Sequence, residues 1–361
     1  MHGGDIYSNK IKLDFSVSVN PLGAPKSVKK AAVRAVKNCA SYPELESKKL
    51  CSLIAKKFGL ESKNIVASNG ASEIISAFCL AYDFKKVLLL APGFTGYKRA
   101  VEEAGAEIEY FYLDEKKDFM LEGESLLQLE KLLQEKSFDL LVLTNPNNPN
   151  GTLVKDFALE KIAKVCLQKK VKILLDECFL LLAGKESFAK KINAFPNVII
   201  LRAFTKTFAI PGIRLGYCIC SEEIAEKIKK ILPEWNVSLV AQKCGEESLK
   251  LEKYILKSQK KIQKEKNFLS KEIKGLGFKV FKSDANFILF KTDFKNQQEE
   301  KKFSQELYAF LLSKKILIRS CSDFEGLGKN YFRIAVKNHL ENKKLLSQLK
   351  IFTKGQLVKN H

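Results

Sequence analysis

Histidine is nearly absent from this chain. Its three copies, His2, His339 and His361, are too few and too scattered for a His-based metal site or a triad. Cysteine occurs nine times but never as a C-x-x-C pair, and only Cys218 and Cys220 lie close together. Scattered thiols in odd number argue against a disulfide framework and suit a reducing compartment, so a cytoplasmic location is expected. No apolar run approaches the roughly 18 residues of a membrane span. The opening Met1-His2-Gly3-Gly4-Asp5 shows no apolar signal region. Acidic residues are also in deficit: 41 Asp and Glu face 62 Lys and Arg, a formal net charge of +21. Such a balance can serve nucleic acid or a membrane surface. Here the lysines are spread along helix-like stretches such as 252–274, and they outnumber arginines heavily. Base and phosphate readers lean on arginine. Neither a nucleic-acid partner nor membrane association is expected, and the field suits an anionic substrate.

The chain has 361 residues, 46% of them hydrophobic and 29% charged, enough for a large core and two domains. Its texture is α/β. Short apolar runs recur at 87–90, 140–143, 172–175 and 198–201, separated by turn signals or amphipathic stretches. Continuous apolar strands alternating with helices predict a mostly parallel, buried sheet flanked by helices. Near residue 245 the texture changes to a long Lys/Glu helix followed by short strands, which predicts a smaller α+β domain. The expected division is an N-terminal segment over 1–30 packing near the active site, a large cofactor-binding domain over 31–245 and a small domain over 246–361.

Four motifs follow one another along the large domain. Gly70-Ala71-Ser72 precedes a helical pattern, where backbone N–H groups, a hydroxyl and the helix dipole can face an anion. Phe94 follows a buried strand and can stack on a planar ring. Asn148 lies in a Pro-rich turn after another strand, and its amide can bond a phenolate oxygen. Asp176 closes an apolar run, where a carboxylate is costly unless paired with a cation such as a protonated pyridine nitrogen. Glu177 is the alternative acid. Lys206 sits in Arg202-Ala203-Phe204-Thr205-Lys206-Thr207-Phe208, near cations that lower its pKa and make it nucleophilic. Thr205, Thr207 and Arg214 can hold a phosphate. Phosphate loop, Asn turn, strand-end Asp and Lys, in that order, point to a pyridoxal 5′-phosphate site.

With these motifs the chain resembles the fold-type I pyridoxal phosphate enzymes of the histidinol-phosphate aminotransferase branch. Within it, the chain is most similar to the threonine-phosphate decarboxylases. The narrower likeness rests on His2-Gly3-Gly4, Asn20-Pro21-Leu22-Gly23, Thr205-Lys206 with Ala209-Ile210-Pro211-Gly212, Ile318-Arg319-Ser320-Cys321 and Tyr331-Phe332-Arg333. The resemblance implies that Gly70, Ala71, Ser72, Thr205 and Arg214 bind cofactor phosphate. It places Phe94 on the ring, Asn148 at its O3′, Asp176 at its nitrogen and Lys206 as the covalent anchor. It implies Arg333 at the substrate α-carboxylate, with Arg319, Asn20 and His2 lining the substrate end. Tyr42 would reach across a homodimer toward phosphate, so that two subunits share each site. Phe179 stands where many relatives carry a tyrosine that bonds O3′, which leaves Asn148 as the main O3′ partner.

Three readings follow. The first is a decarboxylase of O-phosphothreonine, or of O-phosphoserine, giving an amino-alcohol phosphate in cobalamin biosynthesis. The second is a histidinol-phosphate aminotransferase. The third is a regulator with a silent site, suggested only by charge and lacking a helix-turn-helix segment. The substituent held perpendicular to the cofactor ring decides between the first two, because that bond breaks.

Overall fold

All four apolar runs become strands of one seven-stranded sheet. The computed structural model describes residues 3–8, 10–293 and 296–359. The strand order is Ile65–Ser68, Gly216–Ile219, Val198–Ala203, Lys172–Asp176, Leu140–Thr144, Lys86–Ala91, Glu107–Tyr112. Gly216–Ile219 runs antiparallel to both neighbours, and every other pairing is parallel. The central strands are apolar on both faces because both are covered. Leu141 and Leu143 pack into one apolar cluster, Leu140 and Val142 into the other, as the two-residue period of a strand requires. The α/β class with a mostly parallel sheet flanked by helices is the observed one.

Strand register sets up the functional end. Thr144 lies opposite Asp176, and Asp176 opposite Leu201. The carboxyl ends of the parallel strands therefore align, where open α/β sheets form their ligand crevice. Helix Ala71–Ala81 starts at this edge, and Gly70 makes the turn into it with φ 86°. Gly216 passes beneath that turn, where a Cβ would sit 2.5 Å from the Ala71 nitrogen. Only a bare backbone allows so close an approach.

A second sheet orders Arg319–Ser320, Tyr331–Ala335, Phe287–Lys291 and Lys279–Val280, all antiparallel. The long helix Glu252–Gly275 buries Ile255, Ile262, Leu269 and Ile273, a spacing that puts one apolar stripe on one face. Leu269 and Ile273 share a core with Phe290, Phe332 and Phe15. Phe15 ties the N-terminal segment to this sheet, and Leu13–Asp14 pairs in parallel with Ile316–Leu317. The stretch 316–320 is therefore divided between two partners. Ile316–Leu317 takes the N-terminal segment as partner, whereas Arg319–Ser320 takes Tyr331–Ala335.

Candidate active site

A cavity of about 490 Å³ opens at the carboxyl ends of the large sheet, with Lys206 and Asp176 on its wall. Asp176 is buried. Its carboxylate accepts a 2.7 Å hydrogen bond from the Tyr97 hydroxyl and a 2.8 Å bond from the Cys178 backbone N–H. The Tyr97 oxygen lies 3.0 Å from Thr144 Oγ1, which donates to it. Burial pushes the Asp176 carboxyl above its usual range, and the bonds from Cys178 and Tyr97 oppose that push. No salt bridge neutralises it among the described residues. The Lys206 charge acts on it only as a lesser cause, so a buried carboxylate with no ion pair among the described residues fits a protonated ring nitrogen. Glu177, the alternative acid, faces elsewhere. It pairs with Arg202 at 3.2 Å and accepts from Ser187 and from the Phe188 N–H.

Lys206 is half-buried on the turn Phe204–Thr207, its Nζ 5.9 Å from the Phe179 ring centre. Burial, then the Arg333 and Arg214 charges, lower its pKa to about 8, against the pull of Cys178 and Asp176. Phe94 reaches the cavity beside Tyr97, with ring centres 5.4 Å apart and planes at 86°. Gly96 makes room for that ring, since a Cβ there would meet Phe94 at 2.4 Å. Asn148 lines the same wall.

The end of the cavity expected to hold the phosphate is built on the start of helix Ala71–Ala81, which has no side-chain cap bond. Its first N–H groups therefore remain available for an anion. Ala71, Ser72, Thr205 and Arg214 line the cavity there, and Arg214 Nη2 lies 3.4 Å from Ser72 Oγ. Gly70 does not touch the cavity but makes the arrangement possible: a Cβ on it would lie 2.5 Å from Arg214 Nη2. Gly70→Ala also forces a side chain onto positive φ, a strain of roughly 1–3 kcal/mol. The variant should bind pyridoxal phosphate about tenfold or more weaker, with little change for pyridoxal, which lacks the phosphate. Equal weakening of both, in fluorescence titrations, would remove Gly70 from the phosphate end.

Where substrate is expected, Arg319 and Arg333 lie directly opposite each other on neighbouring strands. Both are buried. Arg333 donates to Asn148 Oδ1 and, at 2.9 Å, to the Ser16 carbonyl. Its guanidinium stacks 5.2 Å from the Phe287 ring centre, and its Nε is buried without a partner. Burial is the main cause that brings its pKa down to about 10. Arg319 pairs with Asp323 at 2.9 Å and stands 5.0 Å from the Phe324 ring centre. Gly3 and Ser18 also face the cavity, and Ser18 Oγ is buried without a partner. These orphaned donors suit a polyanionic guest.

Other expected residues are placed differently. Asn20 does not line the cavity. Its amide donates to the Thr207 carbonyl and Ser258 Oγ, both at 2.7 Å, and its N–H donates to the Lys206 carbonyl. It braces the lysine turn from behind and has no donor left for substrate. Thr207 lines a separate cavity on that far side. Tyr42 is 80% exposed and packs on Trp235 at 4.8 Å, away from its own chain's cavity. His2 lies outside the described residues. Tyr97 and Cys178 were not expected at all. The three-residue spacing of Phe94, at the helix start, and Tyr97, in its first turn, was the available signal.

A family profile described as aminotransferase class I and II matches residues 10–349. An adenosylcobalamin biosynthesis bifunctional protein of Leptospira interrogans is 34% identical over 355 residues. That match covers 96% of this chain but 40% of the relative, so the chain spans well under half of its length. Threonine-phosphate decarboxylase of Salmonella typhimurium is 29% identical, over 97% of this chain and 95% of its own. The crystal structure of histidinol-phosphate aminotransferase from Clostridium acetobutylicum superposes with a TM-score of 0.85 at 34% identity, covering 95% of this chain and 99% of that one.

Proposed function

We propose that this chain, which belongs to the aminotransferase class I and II family, decarboxylates a small phosphorylated amino acid, O-phosphothreonine or O-phosphoserine, to an amino-alcohol phosphate. The observation that carries this reading is the pair of buried arginines in cross-strand register, Arg319 opposite Arg333, on the cavity that holds Lys206. Two fixed guanidiniums suit two anionic groups, because each can grip a carboxylate or a phosphate bidentately. Gly3 of the N-terminal segment lines the same cavity, packed against Ser16, where a Cβ on it would lie 2.8 Å from the Ser16 carbonyl oxygen.

Pyridoxal 5′-phosphate is the cofactor, supported by family membership and by the buried acid, uncapped helix start and low-pKa lysine of the cavity. When bound, it supplies a sink for the electron pair released at the substrate's α-carbon. The residues do the rest. Asp176 holds a proton at the ring nitrogen, kept in place by Tyr97 and Cys178. Arg333 and Arg319 fix the substrate's two anions and so decide which α-carbon bond is presented for cleavage. Lys206 Nζ delivers the proton that replaces CO2. Tyr42 is read as donated to a second subunit's phosphate end in a homodimer, in keeping with its exposure here.

Histidinol-phosphate aminotransferase is the second reading, favoured by the 34% identity and TM-score of 0.85 to that crystal structure. Incubation with O-phosphothreonine, O-phosphoserine and histidinol phosphate, assayed for CO2 and for keto products, separates the two. CO2 from either phospho-amino acid is expected. Glutamate-dependent transamination of histidinol phosphate without CO2 would give the site to the second reading. Arg333→Ala truncates a buried charge whose loss costs about 2–5 kcal/mol in binding. Its KM for the phospho-amino acid should rise about thirtyfold or more, and an unchanged KM would remove Arg333 from the carboxylate.

A further inference from the structure

The turn that carries Lys206 separates two cavities. Its front, with Thr205 and Lys206, faces the site described above. Its back, with Phe204 and Thr207, faces a second cavity of about 270 Å³. Cys178 and Ala203 belong to both walls. The volume lies just under the roughly 300–1,000 Å³ of drug-sized ligand pockets, so it suits a small metabolite.

Aromatic and aliphatic side chains dominate this second lining, including Phe58, Leu181, Phe208 and Tyr217. Its floor is charged. Arg202 is only 7% exposed, and among the described residues its guanidinium is bonded through Nη1 alone, to Glu177 at 3.2 Å. Glu177, by contrast, also accepts from Ser187 Oγ and from the Phe188 N–H. The acid is well supplied with donors, while among the described residues the guanidinium keeps donors for a guest. Phe58 lies 5.4 Å from its carbon, a flat face beside the cation. Lysines line the cavity too. Lys57 is paired with Glu252 and Lys190 with Glu186, while Lys185 adds a further positive charge. An apolar pocket with a buried guanidinium and a basic lining complements an apolar body with one carboxylate.

We propose that this cavity is a binding site for a small apolar carboxylate, separate from the substrate cavity and sharing the Lys206 turn as its wall. The carboxylate meets Arg202, and the apolar body fills the space between Phe58, Leu181 and Phe208. A guest here packs on Phe204 and Thr207, so its presence is felt at Lys206. The inference does not depend on which reaction the front cavity performs.

Calorimetric titration of the holoenzyme with phenylacetate, indole-3-acetate and 4-methylvalerate tests it, with phenylacetamide as the neutral control. At least one acid should bind saturably, phenylacetamide at least tenfold more weakly than phenylacetate. Leu181→Trp, which fills the cavity with a ring, should abolish binding while circular dichroism and cofactor content stay normal. Arg333→Ala, which disables the front cavity, should leave the binding in place. A bound acid should also shift the pH midpoint of Lys206 read from cofactor absorbance. No saturable binding by any acid, equal binding of phenylacetamide, or binding that survives Leu181→Trp and vanishes in Arg333→Ala would each overturn the proposal.

Discussion

Lys206→Ala is expected to abolish turnover while the fold and the cavity persist. The side chain lines the cavity and makes no hydrogen bond to any described residue, so truncation leaves no hydrogen-bond partner stranded. The turn itself is held by main-chain contacts that alanine keeps, above all the 3.0 Å bond from the Asn20 N–H to the residue 206 carbonyl. What disappears is the amine proposed to anchor the cofactor and to deliver the proton that replaces CO2, a loss of several orders of magnitude in kcat. The same amine sets a pH signature. Its pKa is lowered to about 8, against about 10.4 for a free lysine. Raising the pH through about 8 removes the Nζ proton and exposes the nucleophilic pair. Covalent capture of pyridoxal phosphate by the apoprotein should therefore quicken across that value, followed by stopped-flow absorbance. Substantial turnover in Lys206→Ala, or a capture midpoint near that of free lysine, would count against the assignment.

The sequence made some parts of this site readable because their signals are local. A continuous apolar run ending in an acid marks a buried strand, and Asp176 ends Lys172–Asp176 as that pattern requires. A small-residue triplet before a helical period marks an uncapped helix start, and Gly70, Ala71 and Ser72 sit there. The choice between Asp176 and Glu177 could not be read, because adjacent strand residues point to opposite faces and the pattern does not say which face holds the site. The structure turns Glu177 to the far side, against Arg202.

Long-range pairings were legible only where short connections imposed them. The loop between Arg319 and Arg333 is short enough to make neighbouring strands, and the two arginines face each other in register. Asn20 had no such constraint. Its partners, Thr207 and Ser258, are far away in sequence, and nothing local says that its amide braces the lysine turn and leaves the substrate alone. Tyr97 was hidden for the same reason: its bond to Asp176 joins a helix to a strand 79 positions on.

Asp176→Asn is expected to cut kcat by about a hundredfold or more, the usual scale for losing one preorganised electrostatic partner. The carboxylate is buried and salt-bridges no described residue, so the charge it offers a ring nitrogen is little screened. Asparagine is nearly isosteric, so cavity and cofactor phosphate site should survive, and cofactor should remain bound. The amide cannot hold the ring-nitrogen proton by charge. Its oxygen can accept from Tyr97 or from the Cys178 N–H, but its NH2 then faces the other donor. Tyr97→Phe is the calibrating variant. It removes one neutral-to-charged hydrogen bond, worth about 1.5–3 kcal/mol, while the carboxylate keeps its charge and its bond from Cys178. A graded outcome is therefore expected. Tyr97→Phe should slow the reaction less than Asp176→Asn, and the double variant should be no slower than Asp176→Asn alone, because Tyr97 acts through the carboxylate. Steady-state kcat with cofactor content checked spectroscopically decides the matter. A cofactor-replete Asp176→Asn enzyme with near-normal kcat would show that another group, or none, holds the ring nitrogen.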